Sequence, residues 1–280
     1  MDLNLAKQKL AAAQNKGGQQ REKIDYTKIF FKPKAGKYQV RLLPSKFDKS
    51  WPIREVQFHY GFAKGPILSL TNWNEADPIA DFAKQLRKSG DKEDWQLAKK
   101  IEPKSRYFAA VVVRGEEHLG ARLWEFGKLT HDQLLGIAAD DDYGDFTDIT
   151  DGRDFTIEAT EDIIAGRKGI KCNLRVKPKT TPISEDGALV TKLLEEQPDI
   201  LAINRKYTYD ALKDILSKWL NPEDDAATET PIASADADDE DSFIKEINKP
   251  VTPTYSLETP AAKTSNADKF NDLFSDESPF

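Results

Sequence analysis

In GKYQVRLL, residues 36–43, Tyr38, Val40 and Leu42 fall on one side of the chain and Lys37, Gln39 and Arg41 on the other. That is the period of a half-buried strand, and Pro44 stops it. REVQFHYGF predicts a second strand over 54–62, and the almost continuous apolar run RYFAAVVVR, at 106–114, predicts a buried one. RLWEF at 122–126, DFTIEA at 154–159 and IKCNLRVK at 170–177 add three more. In the last, Ile170, Cys172, Leu174 and Val176 face inward and Lys171, Asn173, Arg175 and Lys177 outward. Cys172 therefore reads as a small core residue, not a nucleophile. Helical spacing predicts helices over 3–14, 78–89 (Pro78 in the first turn), 92–100, 130–139 and 208–220, the last amphipathic. Strands and helices follow one another without a βαβ rhythm. The pattern therefore points to a mostly β, α+β core, an antiparallel barrel or sheet with helical insertions, over residues 21–221.

Charge divides the chain further. Residues 222–280 hold 15 Asp/Glu against 4 Lys/Arg, whereas residues 1–221 hold 37 Lys/Arg against 33 Asp/Glu. Within the latter, residues 1–60 are the most basic, with 13 Lys/Arg against 5 Asp/Glu. A basic front and an acidic rear suggest a polyanion partner and an anionic tail. All 5 Trp precede Asn221, while the tail takes 6 of the 15 prolines and runs such as Asp238-Asp239-Glu240-Asp241, the composition of a disordered segment. No apolar stretch approaches the ~20 residues of a membrane span. One cysteine excludes a disulfide framework and a thiolate zinc cluster. A cytoplasmic protein is expected.

Residues 26–60 carry eight aromatics, eight Lys/Arg and two acids. Cations neutralise phosphates and flat rings stack on unpaired bases, so this interleaving suits a single nucleic-acid strand. It nominates Lys37, Arg41, Lys46, Trp51, Arg54 and Tyr60. Trp73, Arg106, Tyr107, Arg114, Arg122, Trp124 and Lys128 extend the set, as do Arg175 and Lys177 on the last strand. The competing reading makes the rings core and the cations a solvated face, with neighbouring strands supplying compensating acids. The acids of 139–154, with Asp145, Asp148 and Asp151 spaced by three, lack the alternating ligands and distal Glu of a calcium loop. A magnesium-dependent nuclease is a lesser alternative. His59, His118 and His131 are scattered, and no Walker loop, dinucleotide fingerprint, HExxH or nucleophile elbow occurs. No catalytic residue, metal or cofactor is expected.

VRLLPSK, followed by Trp51-Pro52 and FHYGF, resembles the single-stranded DNA-binding protein of T-even phages, the gene 32 protein family. RYFAAVVVR, RLWEFGK, a helix and GDFTDITDGRDFTIEA follow in a similar order. The likeness covers roughly residues 26–180 and looks closest to the versions of marine cyanophages. It implies an OB-fold core and a flexible basic N-terminal arm over 1–20, whose Lys7, Lys9 and Lys16 would meet a neighbouring protomer along the DNA. It also implies an acidic tail, 222–280, that recruits replication and recombination proteins, and roles in phage replication, recombination and repair in the host cytoplasm. Two features depart from the family. Its best-known members hold zinc with one His and three Cys, but no Cys follows His59 in this region, so helix packing around Phe82 and Leu86 is expected to replace the metal. The arm also lacks the compact basic-plus-hydroxyl motif.

The tail ends on NDLFSDESPF, where Leu273, Phe274 and Phe280 offer apolar anchors among Asp272, Asp276 and Glu277. Docking to a partner protein is the expected use. By its charge, the same tail is expected to compete with DNA for the basic groove. The main reading is a sequence-independent single-strand binder. The runner-up is a non-enzymatic adaptor that recruits through its tail.

Overall fold

The apolar run near residue 110 becomes the central strand. In the computed structural model, which describes residues 26–63, 65–164, 167–221 and 266–274, β5 (Lys104–Val113) pairs along one edge with β3 (Ile53–His59) and then β2 (Gly36–Leu42). Its other edge takes β6 (Arg122–Phe126). β2 continues the sheet to β7 (Arg153–Ile164), and β7 to β8 (Arg167–Thr180). These pairings are antiparallel; short β1 (Phe30–Phe31), following α1 (Tyr26–Ile29), joins β6 in parallel, and β4 (Ile67–Leu68) pairs with the end of β3.

The two faces of β5 serve different cores. Tyr107, Ala109, Val111 and Val113 pack inside the curved sheet with Val40, Leu42, Trp124, Phe126, Phe155 and Ile157. On the opposite face, Ala110 and Val112 are covered by Ile183 and by Leu193 of α5 (Gly187–Glu195), and Phe108 by Ile200 of α6 (Ile200–Ile203). Burial on both faces is why this segment is continuously apolar while β2 alternates.

The expected barrel does not close. The sheet runs β1-β6-β5-β2-β7-β8, and β8 has β7 as its only strand partner among the described residues. Helix α4 (Lys128–Ala138) contacts both β5 and β8, its Leu134 fully buried in the interior core. The result is a mixed α+β fold around an open, curled sheet. β7 and β8 also run longer than their apolar periodicity suggests, pairing from Arg153↔Thr180 to Ile164↔Arg167. β2 stops opposite Ala159, so the remainder projects as a two-stranded ribbon on which Ile163 is 73% exposed.

A second core joins α2 (Pro78–Lys88), α3 (Lys92–Ile101) and α7 (Tyr209–Leu220) through Ile79, Phe82, Leu86, Ala98, Ile101, Leu212 and Leu216. Local chemistry sets the helix starts: Asp77, Asp91 and Thr208 each accept a hydrogen bond from a first-turn amide, and Pro78 needs no donor there. Phe82 and Leu86 are buried as expected, but a polar hub lies beside them. His59 is fully buried, with Nε2 at 2.9 Å from Asp77 Oδ2 and Nδ1 at 3.3 Å from the Ile101 carbonyl. Asp77 Oδ2 also accepts from Ser69 Oγ and the Leu70 amide, and Oδ1 from the amides of Ile79 and Ala80. One carboxylate thus ties β3, the turn after β4, α2 and the end of α3. Burial acts to raise the Asp77 pKa; the His59 hydrogen bond and charge, then Ser69 and Ala80, outweigh it and hold it well below the usual carboxylate range.

Within the tail, for which disorder is expected, the described residues Asn266–Phe274 form α8, packed on this second core. The helix expected over 3–14, with Lys7, Lys9 and Lys16, lies outside the described residues, as does Phe280. Among the described residues no helix is long and apolar enough to cross a membrane.

Candidate nucleic-acid interface

Strand parity puts most of the expected cations on one face of the sheet. Arg54, Arg106, Arg114, Arg41, Lys37 and Arg175 all share the face opposite the interior core, by the registers that link β3, β5, β2, β7 and β8. α5 and α6 cover the middle of that face. The cover decides which charges reach solvent.

In the covered middle, Arg41 is completely buried. Its Nη1 is 3.3 Å from Asp154 Oδ1, and its Nη2 donates to the carbonyls of Asp148 (2.8 Å) and Thr181 (2.6 Å). Arg114 donates to both Asp154 oxygens, at 3.0 and 2.9 Å, and to the Ile183 carbonyl. Burial acts to raise the Asp154 pKa, but hydrogen bonds from Arg114 and Gln39, with the charges of Arg114 and Arg41, outweigh it and lower it. Arg41 and Arg114, both nominated for DNA, are therefore held by acceptors of the fold itself. Three further residues are corrected because they lie on the inner face. Trp124 is 1% exposed, Arg122 is buried beside Phe31 with Glu116 as its carboxylate, and Tyr107 is buried with its ring stacked 3.9 Å from that of His131. A buried ring has no face to offer a base.

At the β3 end the face opens. A cleft of about 270 Å³ is lined by Arg54, Glu55, Gln57, Thr71, Asn72 and Leu201. Asn72 holds its wall in shape: its side chain accepts from the Gln57 amide and donates to the Gln57 carbonyl, both at 2.8 Å, replacing a strand partner. Cation–ring pairs lie at its wall and elsewhere on the surface. Arg54 lies over exposed Phe47 (5.8 Å) and pairs with Asp199 (3.1 Å), which also caps α6; Lys206 lies over half-buried Trp73 (4.6 Å) and pairs with Glu75. Arg205 lies over Tyr207 at 4.8 Å. Of the residues nominated by sequence, Arg54 lines the cleft, and Trp73 follows its lining residue Asn72 in the chain. Phe47, Gln57 and Asn72 accompany Arg54, and Lys206 accompanies Trp73, without having been singled out. Arg205-Lys206-Tyr207 repeats the cation–aromatic interleaving of 26–60 and was legible on the same grounds.

At the other end, Lys37 and Arg175 flank Glu158 at 3.0 and 3.6 Å. Lys177 and Lys179 follow on the exposed β8 face, with no carboxylate partner among the described residues. The remaining nominated residues are dispersed. Lys46 donates to the Glu195 carbonyl, Arg106 pairs with Glu125, and Lys128 pairs with Asp132 one turn along α4. Trp51 packs against the interior core and Tyr60 beside Phe58. Cys172 packs on the interior core, and burial pushes its thiol pKa up.

The acids of 139–154 turn to local work: Asp145 and Asp148 each accept from a hydroxyl and an amide two residues on. Among the described residues no three potential ligands gather for a metal ion.

Cations poised over rings beside an open, polar cleft form the kind of surface by which proteins hold a charged chain carrying flat groups. Residues 34–221 match the family model described as gp32 DNA binding protein like, and the chain belongs to this gp32-like family of DNA-binding proteins. No curated protein matches it significantly.

Proposed function

We propose that the protein is a sequence-independent single-stranded DNA-binding protein that coats unwound DNA during phage replication, recombination and repair. Family membership over 34–221 carries this reading. The cleft at Arg54 supports it, because this cation, lying over the exposed Phe47 ring, sets a phosphate-neutralising charge beside a surface on which a base can stack. The strand would run from that cleft toward the exposed cations of β8, and the curled sheet would act as the OB-like platform. Protomers would align head to tail through the N-terminal arm, and the tail would recruit replication and recombination proteins.

Titration of the intrinsic Trp fluorescence with poly(dT) and with a duplex of equal length tests the reading. Single strands should bind more tightly, and affinity should fall with salt at a log–log slope of about -0.7 per phosphate contacted. Preference for the duplex overturns the proposal. A flat salt response favours an adaptor that acts through its tail, and cleavage of labelled single strands in Mg²⁺ favours a nuclease.

A further inference from the structure

The second core is completed by a segment from far along the chain. α8 presents Phe270 and Phe274, one turn apart, to a groove between α2, α3 and α7. The Phe270 ring meets Phe82 edge-on with centroids 6.0 Å apart and is 6% exposed. Phe274 is half-buried against Tyr209 at 6.5 Å, with Lys213 over its ring at 4.9 Å. Next to Phe270, Lys269 reaches both oxygens of Asp94, at 2.6 and 2.7 Å, and that carboxylate is 4% exposed. The groove thus reads a short helix of pattern Lys-Phe-x-x-x-Phe by one deep ring, one lateral ring and one charge.

The same contacts are too few to make α8 a permanent part of the core. Of its three large apolar residues only Phe270 is buried, and Leu273 stays 36% exposed. A helix of nine residues does not hold its shape alone, so α8 is ordered by the groove. The groove walls, by contrast, pack on one another through Phe82, Leu86, Ala98, Ile101, Leu212 and Leu216.

We propose that this groove is a reversible docking site for the chain's own tail segment 266–274. The tail alternates between a docked and a released state. Any protein that grips it through Phe270 or Phe274 must first draw it out, because those rings are the ones the groove occupies. Leu273, which faces outward, remains available in both states. The proposal concerns the tail and the helical core only, and holds whether or not DNA is bound.

Full-length protein is titrated with a fluorescent peptide of residues 264–280 and followed by anisotropy. Wild-type protein should bind it weakly, because the tethered copy competes. Phe270→Ala, whose own tail no longer fills the groove, should bind it at least tenfold more tightly, and adding Asp94→Asn should reverse most of that gain. Equal binding by wild type and Phe270→Ala, both folded by circular dichroism, overturns the proposal. Amide exchange of the wild-type chain keeps the test open should Phe270→Ala fold poorly. Residues 268–274 should exchange more slowly than in the free peptide and faster than β5, and Lys269→Glu should quicken them without changing β5. Protection equal to β5 makes α8 a fixed core helix, protection equal to the free peptide removes the docking, and either refutes the proposal.

Discussion

Replacing Asp154 by Asn separates structural arginines from DNA-binding ones. The carboxylate, 4% exposed, accepts from Gln39 Nε2 (2.7 Å), Arg41 Nη1 (3.3 Å) and Arg114 Nε and Nη2 (3.0 and 2.9 Å). Asn keeps the shape, removes the charge and turns an amide donor toward other donors. Breaking one side of a buried ion pair costs about 3–5 kcal/mol. Here Arg41 retains the Asp148 and Thr181 carbonyls, and Arg114, 21% exposed, retains the Ile183 and Pro182 carbonyls and some water. The lower end, about 3 kcal/mol, is therefore expected, a fall in Tm of roughly 6–12 °C for a core of this size.

The pH dependence has a definite sign. The folded Asp154 pKa lies below the usual carboxylate value. Its contribution is present above the unfolded value, near 4, and is lost as pH falls through the lower folded one. The gap between wild type and Asp154→Asn should be full at pH 7 and narrow below pH 4. Urea unfolding followed by Trp fluorescence at both pH values measures it, with a poly(dT) titration of the folded variant alongside. A neutral-pH difference under about 0.5 kcal/mol, or a changed single-strand affinity in folded Asp154→Asn, refutes the assignment of Arg41 and Arg114 to structure.

Other outcomes follow from the same geometry. A Cβ on Gly152 would meet the Asp148 and Phe146 carbonyls at 2.5 and 2.7 Å and Arg41 Nη2 at 2.6 Å, so Gly152→Ala should destabilise by about 1–3 kcal/mol in urea unfolding. Asp77→Ala removes the α2 cap and the partner of His59 together, for about 2–4 kcal/mol. Because the Asp77 pKa is depressed, that loss should also be largest above pH 4 and should shrink as the pH falls through the folded value, as unfolding curves at both pH values will show. Trp73→Ala should weaken poly(dT) binding about 5- to 150-fold if a base stacks on the ring, with unfolding curves confirming an intact core. Lys206→Ala should flatten the salt slope by about 0.7 if its ammonium contacts one phosphate.

How much of this was legible in the chain depended on whether the signal was local. Period-two alternation in 36–43 and 170–177 placed β2 and β8, because each has one apolar face, and the dense apolar run at 106–114 marked the central strand. Pro78 announced the start of α2, since a proline suits a first turn whose amide has no partner. Strand parity even placed the cations of β2 and β8 on their face correctly. It could not tell Arg41 from Lys37, four residues apart on that face, one fully buried and the other exposed. That difference is made by Asp154, Thr181 and the segment leading into α5, all over 100 positions away, and no local pattern encodes a cover folded back from so far. Nor did periodicity close or open the barrel, which turns on α4 lying between β5 and β8. The acidic composition of 222–280 suggested disorder throughout, whereas Lys269 and Phe270 gain a helix only because Asp94 and Phe82 await them. The sequence by itself determined the strands, the caps and the sign of each region's charge, because those are properties of neighbouring residues. Only the tertiary structure decided which charges and rings meet solvent, because burial belongs to the assembled layers and not to any one segment.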